Sequence, residues 1–166
     1  MSDAVPRGLR AVLCLDDFEA VARRRLPRPV FGYVAGAAET NASLADNRAA
    51  FGDYAFLPRV LTDVSRRTQA ITLFGRAYAA PFGIAPIGIS ALYAYRGDLV
   101  LARAAAAADV PMIMSGSSLI PLEDVAKASP DAWFQAYLPG DVAQIDALVQ
   151  RMLRASFRTL VVTVDS

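Results

Sequence analysis

The sequence predicts an α/β fold, a single domain over residues 1–166 in which a helical lead-in and a β-hairpin (1–80) precede a parallel sheet (81–166). Beyond Pro81, four short apolar runs alternate with helical stretches at a repeat of roughly 25 residues, which predicts alternating strands and helices. The runs are continuously apolar, which is typical of strands covered by helices on both faces of a parallel sheet.

The lead-in contains three predicted helices. The first begins at Asp16, where Glu19 three residues later gives a capping-box pattern, and it ends at Pro27. A second, shorter helix is predicted over 30–34 and a third over 43–51. None of the three carries a motif that indicates a function by itself.

A hairpin is predicted after the lead-in. Residues 69–74 are rich in side chains that favour strands, and Gly75 separates them from a second short run at 77–80. We expect the two runs to pair and to close one end of the domain.

The parallel sheet is predicted from four strands with helices between them. The strands are placed at 82–87, 111–114, 132–138 and 159–164, and the helices at 97–109, 122–128 and from Asp141 onward. Two architectures fit this order, a doubly wound sheet and a (β/α)₈ barrel. Four units are about half of what a barrel needs, so a barrel would be only partly present in this chain.

Composition excludes several functional classes. The net charge of +1 gives no electrostatic footprint for nucleic acid. The absence of histidine and the single cysteine, Cys14, exclude Ser-His-Asp and Cys-His catalysis within the chain and argue against a metal site. One cysteine and the lack of an apolar leader fit a cytoplasmic protein, with membrane association expected only as a property of some complete forms.

Candidate binding residues lie at the carboxyl ends of the predicted strands, where parallel α/β proteins place their binding sites. They are Ala85, Pro86, Ile87 and Gly88 after the first strand, Ser115 to Ser118 after the second, Gln135 and Tyr137 in the third, and Thr163 and Asp165 in the fourth. Their hydroxyl and amide groups suit a flavin or another heterocycle, and a glycine admits a flat ring close to the backbone. Considered singly, each residue could equally serve packing or turn formation.

Six segments carry a resemblance to a known family. In chain order they are RLPRPVFGYVAGAAE, LPRVLTDVSRR, PFGIAPIG, YRGDLVLARAAAAADVPMIMSGSS, WFQAYL and TLVVTVDS. With them the chain resembles the N-terminal half of the FMN-dependent 2-hydroxy-acid dehydrogenases and oxidases. The resemblance implies a partial TIM (β/α)₈ barrel, FMN as the cofactor, and oxidation of a small L-2-hydroxy acid such as lactate, mandelate or glycolate.

The resemblance also implies roles for individual residues. Tyr33 and Tyr137 would bind the substrate, and Tyr33 would contact the carboxylate of the substrate. Asp165 would orient the catalytic histidine. A phenol directed at a carboxylate makes a charge-assisted hydrogen bond, and an aspartate beside an imidazolium favours its charged form. The implied FMN-binding residues are Ala85, Pro86, Ile87, Gly88, Ser115, Gln135 and Thr163.

Two positions depart from the residues common in the family, and a third carries one of two residues that the family uses there. Ile87 replaces a common threonine, which removes one hydroxyl contact. Ser117 stands where members similar to glycolate oxidase carry a large aromatic residue, so the side-chain selectivity for the substrate stays open. The family's dehydrogenases often carry glycine at the position of Gly88, which favours an electron acceptor other than O₂, although a quinone, a cytochrome and O₂ all stay open.

The family's second half supplies a lysine, the histidine base, an arginine and the phosphate-binding loops, and this sequence ends before them. We therefore expect an oxidoreductase, often tetrameric, in the complete protein, and no turnover with weak or no flavin binding in the 166-residue chain alone. Two alternatives stay open: a non-catalytic half-barrel that pairs with a missing half or with itself, and another FMN barrel such as an isoprenoid isomerase. Tyr33 and Tyr137 argue against the isomerase, which needs no carboxylate binding.

Overall fold

The first of two compact units is helical. A computed structural model describes residues 7–164, and the chain divides into Met1–Thr62 and Asp63–Ser166. The helices of the first unit are α1 (Asp17–Arg25), α2 (Arg28–Ala35) and α3 (Ala42–Ala49), with 3₁₀ turns at Arg7–Leu9 and Ala50–Asp53. The three predicted helices are therefore confirmed, although no residue from 7 to 62 is buried.

The capping box predicted at the start of α1 is wrong. Asp16 already has helical backbone angles (φ −65°, ψ −27°) and makes no side-chain capping bond, because a capping side chain needs extended backbone to reach the first turn. The carboxylate of Asp17 instead accepts from the backbone N–H groups of Leu13 at 2.7 Å and Cys14 at 3.1 Å. These bonds lower the pKa of Asp17 and fix the segment that precedes the helix.

The predicted hairpin opens the second unit. Strands β1 (Ile71–Leu73) and β2 (Arg76–Tyr78) are antiparallel, with Ile71 opposite Tyr78. The turn residues Phe74 and Gly75 both have positive φ, 48° and 80°, as a two-residue turn matched to strand twist requires. The second strand begins one residue earlier than predicted and ends at Tyr78 rather than at residue 80.

Side chains of the hairpin contact the amino end of strand β4 (Trp133–Ala136) and the residues that precede it. The ring of Phe74 meets that of Trp133 edge-on at 5.1 Å, and the indole N–H of Trp133 donates to the Tyr78 hydroxyl at 3.3 Å. The guanidinium of Arg76 bridges Asp109 at 2.7 Å and Asp131 at 2.9 Å. The hairpin therefore covers the amino ends of the strands and leaves their carboxyl ends free.

The sheet is parallel and follows chain order. Strands β3 (Ile113–Met114), β4 and β5 (Leu160–Val162) are neighbours in the order β3-β4-β5. The first predicted strand is reduced to one parallel bridge, Ile84 to Met112. Neighbouring strands that all follow their order in the chain are typical of a barrel. In a doubly wound sheet the spatial order of the strands reverses at the switch point. The described residues form an open part of such a barrel.

Three helices cover one face of this sheet: α4 (Gly97–Ala108), α5 (Leu122–Ala128) and α6 (Val142–Arg154). Their predicted positions are confirmed, and the Asp141 carboxylate caps α6 by accepting from the Ala143 N–H at 3.0 Å. The core between helices and sheet includes Leu99, Ala102, Met112, Met114, Val125, Phe134, Met152 and Phe157. Within residues 7–164, no helix is both long and apolar enough to span a bilayer.

Candidate functional site

Three of the predicted site residues form one hydrogen-bonded group at the carboxyl ends of neighbouring strands. The Gln135 side chain, only 3% exposed, accepts at Oε1 from the Gly116 N–H at 3.1 Å and from the Ser115 hydroxyl at 3.5 Å. Its Nε2 donates to the Thr163 hydroxyl at 2.8 Å. The Gln135 amide thus connects the ends of β3, β4 and β5. Its oxygen and its nitrogen are held by different partners.

Strand periodicity explains why Gln135 lies there. Successive side chains of a strand point to opposite faces, so Phe134 packs against Phe157 on the helix side, with ring centroids 5.8 Å apart, and Gln135 points away from the helices. A buried amide must be hydrogen-bonded to be tolerated. Within residues 7–164, every buried side-chain polar atom has a partner.

The turn after β3 depends on a glycine that sequence reasoning noted only in passing. A Cβ atom at Gly116 would lie 2.6 Å from the backbone oxygen of Gln135, closer than any real contact. The absence of a side chain therefore lets this backbone reach the amide. The Ser117 N–H donates to the Ser115 hydroxyl at 3.1 Å, which closes the turn.

The segment after the first strand position is exposed. Ile84 is held in the sheet, donating to the Pro111 carbonyl at 2.9 Å and accepting from the Ile113 N–H at 2.9 Å. The residues that follow it are all exposed: Ala85, Pro86, Ile87 and Gly88. A Cβ placed on Gly88 would meet no atom within 4 Å, so the backbone there is open to a ligand.

The other predicted site residues are Tyr137, Tyr33 and Asp165. Tyr137 follows β4 and is 54% exposed. Tyr33 lies on α2 in the first unit and is 77% exposed. Asp165 lies outside the described residues.

Sequence reasoning missed a buried carboxylate nearby. Asp98, 1% exposed, lies in the first turn of α4, and its Oδ2 accepts from the hydroxyls of Ser90 at 2.7 Å and Ser118 at 2.6 Å. A Cβ on Gly97 would come within 2.7 Å of the Ser90 hydroxyl oxygen, so Ser90 is pressed against this turn. The available signal was a single acidic residue opening an otherwise apolar, alanine-rich helix.

The hydrogen-bonded group formed by Ser115, Gln135 and Thr163 is neutral. The pKa shifts of carboxyl groups lie elsewhere: backbone hydrogen bonds lower those of Asp17 and Asp63, and Arg151 lowers that of Glu123. In the part of the chain from 7 to 164, no three cysteine or carboxylate side chains come together to hold a metal ion. Neutral donors and acceptors beside open backbone are suited to an uncharged, flat, heteroatom-rich ring.

Comparisons with known proteins agree with this chemistry. A family model described as FMN-dependent dehydrogenase matches residues 22–166. An L-lactate dehydrogenase of Caulobacter vibrioides is 42% identical over 90% of this chain and 39% of its own length. An L-lactate oxidase of Lysinibacillus sphaericus is 36% identical over 93% of this chain and 40% of its own length.

A solved structure shows the same fold. The crystal structure of a mandelate oxidase superposes with a TM-score of 0.83 and 37% identity, covering 90% of this chain and 44% of that protein. The chain therefore spans about 40% of the length of the curated relatives it matches. The likeness supports the partial-barrel interpretation over the doubly wound one.

Proposed function

The chain belongs to the family of FMN-dependent dehydrogenases, and from that premise we propose that its second unit forms one side of an FMN site. We propose further that the whole protein oxidises a small L-2-hydroxy acid to the corresponding 2-oxo acid. The observation that carries the proposal is the group formed by Ser115, Gln135 and Thr163, with Gly116 bonded into it, at the carboxyl ends of three parallel strands.

The residues present fit a flavin ring. Because Oε1 of Gln135 is held by the Gly116 N–H, the Nε2 end is the donor, and only one of its two protons is used by Thr163. The Thr163 hydroxyl accepts that bond and keeps its own proton to donate. Ring carbonyls and nitrogens accept such bonds, and the exposed backbone of 85–88 leaves room for a flat ring.

FMN, when bound, supplies the acceptor for the hydride equivalent that leaves the substrate carbon. The described residues of this chain bind and orient, and Tyr137, half exposed beyond β4, is proposed to hold the substrate carboxylate. Tyr33 is proposed for the same carboxylate on the resemblance alone. Residues 1–166 contain no histidine, so no proton-accepting base is assigned to them.

The substrate class comes from the relatives, whose names specify lactate and mandelate. Both are small acids with a hydroxyl beside the carboxylate. Ser117, a small side chain on the turn after β3, is proposed to leave room for the substrate's side chain. The electron acceptor (a quinone, a cytochrome or O₂), a tetrameric assembly and the role of Asp165 toward a histidine stay predictions.

The test uses the full-length protein reconstituted with FMN under anaerobic conditions. We expect a visible absorbance spectrum of bound FMN. L-lactate or (S)-mandelate should bleach this spectrum rapidly by reducing the flavin, and D-lactate should leave it unchanged. A protein that binds no FMN would overturn the flavin site. Bound FMN that no 2-hydroxy acid reduces would overturn the substrate class and favour another FMN barrel chemistry or a non-catalytic half-barrel.

Two tyrosine variants test carboxylate binding. A hydrogen bond to a charged group contributes about 1.5–3 kcal/mol, so Tyr33→Phe and Tyr137→Phe are each expected to raise KM roughly 10- to 100-fold. Tyr54→Phe removes a hydroxyl from an exposed tyrosine that has no role in the proposed site and is the matched control. Equal KM values for all three variants would contradict the assignment.

A further inference from the structure

We propose that Asp98 is a positioning residue that ties together the two loops flanking the flavin-facing strand ends. One carboxyl oxygen, Oδ2, accepts from Ser90 at 2.7 Å and from Ser118 at 2.6 Å. We call this pair of hydrogen bonds the tie. That the two loops face a flavin rests on the proposed function, whereas the tie itself rests on the geometry alone.

The two serines belong to different loops. Ser90 comes two residues after Gly88, in the loop that leads from the first strand position to α4. Ser118 ends the turn that begins at Ser115, and its hydroxyl oxygen also accepts from the Ile120 N–H at 3.0 Å. One carboxyl oxygen of α4 therefore holds both loops through their serines. These loops continue from the two backbone segments proposed to face the ring.

Helix stabilisation alone does not account for Asp98. A carboxylate in the first turn of a helix is favoured by the helix dipole, but an exposed one gains this without leaving water. Asp98 is 1% exposed, and burying a charge is costly unless hydrogen bonds compensate for the lost water. Its two short bonds go to hydroxyls of other segments, which is what a connection between loops requires.

Packing around the tie supports the same conclusion. Ser90 is 4% exposed, and the absence of a side chain at Gly97 allows its hydroxyl to reach Asp98. Ile89 and Arg96, at the two ends of this loop, adopt positive φ values of 50° and 54°. Backbone in the left-handed region persists only where the surroundings hold it, and the tie provides such a restraint.

The first experiment measures, in the absence of flavin, whether Asp98 restrains the two loops. Hydrogen exchange is followed by mass spectrometry in the full-length apoprotein and in Asp98→Ala and Asp98→Asn. We expect exchange in peptides covering 88–96 and 115–121 to rise at least tenfold in Asp98→Ala and less in Asp98→Asn, which keeps one acceptor oxygen. Exchange in α6 should stay unchanged.

Asp124→Ala, which removes a partly exposed carboxylate from the first turn of α5, is the matched control and should leave both loops unchanged. If Asp98→Ala does not fold, Ser90→Ala and Ser118→Ala each cut one arm of the tie and are expected to loosen only their own loop. Exchange that rises evenly over the whole unit, or not at all, would overturn the tie.

The second experiment connects the tie to the site. FMN affinity and the position of the bound-flavin absorbance bands are measured for wild type, Asp98→Asn, Ser118→Ala and Ser129→Ala. Ser129 is also buried but lies at the far end of α5, so its variant is the control for loss of a buried hydroxyl. We expect affinity to fall at least fivefold with shifted bands for Asp98→Asn and Ser118→Ala, and neither change for Ser129→Ala.

The outcomes separate the two proposals. If the wild type binds no FMN, the proposed function fails, and the exchange data alone decide whether Asp98 ties the loops. If the wild type binds FMN and loosened loops leave affinity and bands as they were, the positioning role fails while the proposed function stands.

Discussion

At the scale of single residues, the candidate site depends on contacts that cross from one strand to the next. Ser115, Gln135 and Thr163 could be named from the sequence because polar residues are unusual in or directly after apolar strand runs. Gly116 and Asp98 could not be assigned, because their importance lies in distances to Gln135 and Ser118, which sequence spacing does not encode. The resemblance located the group, and the structure supplied its connections.

The close approach at Gly116 gives the first prediction. In Gly116→Ala the new methyl group would overlap the backbone oxygen of Gln135 at 2.6 Å, and backbone cannot rotate away as a side chain can. Overpacking of this kind lowers the free energy of unfolding by about 1–3 kcal/mol. Urea unfolding measures it, with Gly140→Ala as the control because no atom lies within 4 Å of its Cβ position. Equal losses in the two variants would contradict the explanation.

The Gln135 amide gives the second. Gln135→Met keeps a side chain of similar length but leaves the Gly116 N–H without its acceptor and Thr163 without its donor. An unsatisfied buried donor costs about 1–3 kcal/mol, and we expect FMN affinity to fall roughly tenfold or more as well. Thermal unfolding and FMN titration measure the two effects. Gln144→Met, on the exposed side of α6, should change neither, since surface substitutions usually stay within ~0.5 kcal/mol.

At the scale of elements, helices were predicted more accurately than strands. The period of apolar residues and proline positions fix helices such as α5 to the residue, because the signal is local. Within the described residues, the strand predicted at 82–87 is mostly exposed and forms a single bridge at Ile84, an outcome that the apolar pattern of this segment does not show. The capping box failed because Asp16 already has helical backbone angles, and the path of the segment before it, held by Asp17 through the amides of Leu13 and Cys14, is not shown by the sequence pattern.

The pairing of α5 with α6 predicts a pH dependence. Hydrogen bonds from Arg151 at 2.9 and 3.0 Å hold the pKa of Glu123 below its ordinary value of 4.5. A carboxyl group whose pKa is lower in the folded state stabilises that state above the unfolded pKa, and this contribution is lost as pH falls through the folded pKa.

Wild type should therefore exceed Glu123→Gln in stability at pH 7, and the difference should shrink below about pH 4.5. Both side chains are partly exposed, so added salt should reduce the difference at neutral pH. Thermal unfolding across pH checks the sign. Asp146→Asn, which makes the same charge change on the exposed face of α6, is the control. A difference that grows on acidification would be incompatible with this pairing.

At the scale of the whole molecule, burial is unevenly distributed. The second unit contains the core formed by residues such as Met112, Val125 and Phe157, whereas no residue from 7 to 62 is buried. The sequence predicts helices in both regions but does not show this contrast in burial, because the helices of both regions contain apolar residues. Burial depends on what packs against a helix, and that is a property of the assembled chain.

This contrast predicts where the 166-residue chain opens first. Regions with few buried apolar contacts open at low free-energy cost, and proteolysis of folded protein follows the population of locally open forms. Limited digestion with a non-specific protease, followed by mass spectrometry, should therefore cut within α1, α2 and α3 before it cuts within α4, α5 or α6. Comparing helices with helices removes the general sensitivity of loops. Early cleavage inside α4, whose residues Ala102 and Ala105 are fully buried, would show that the core does not determine local stability in this chain.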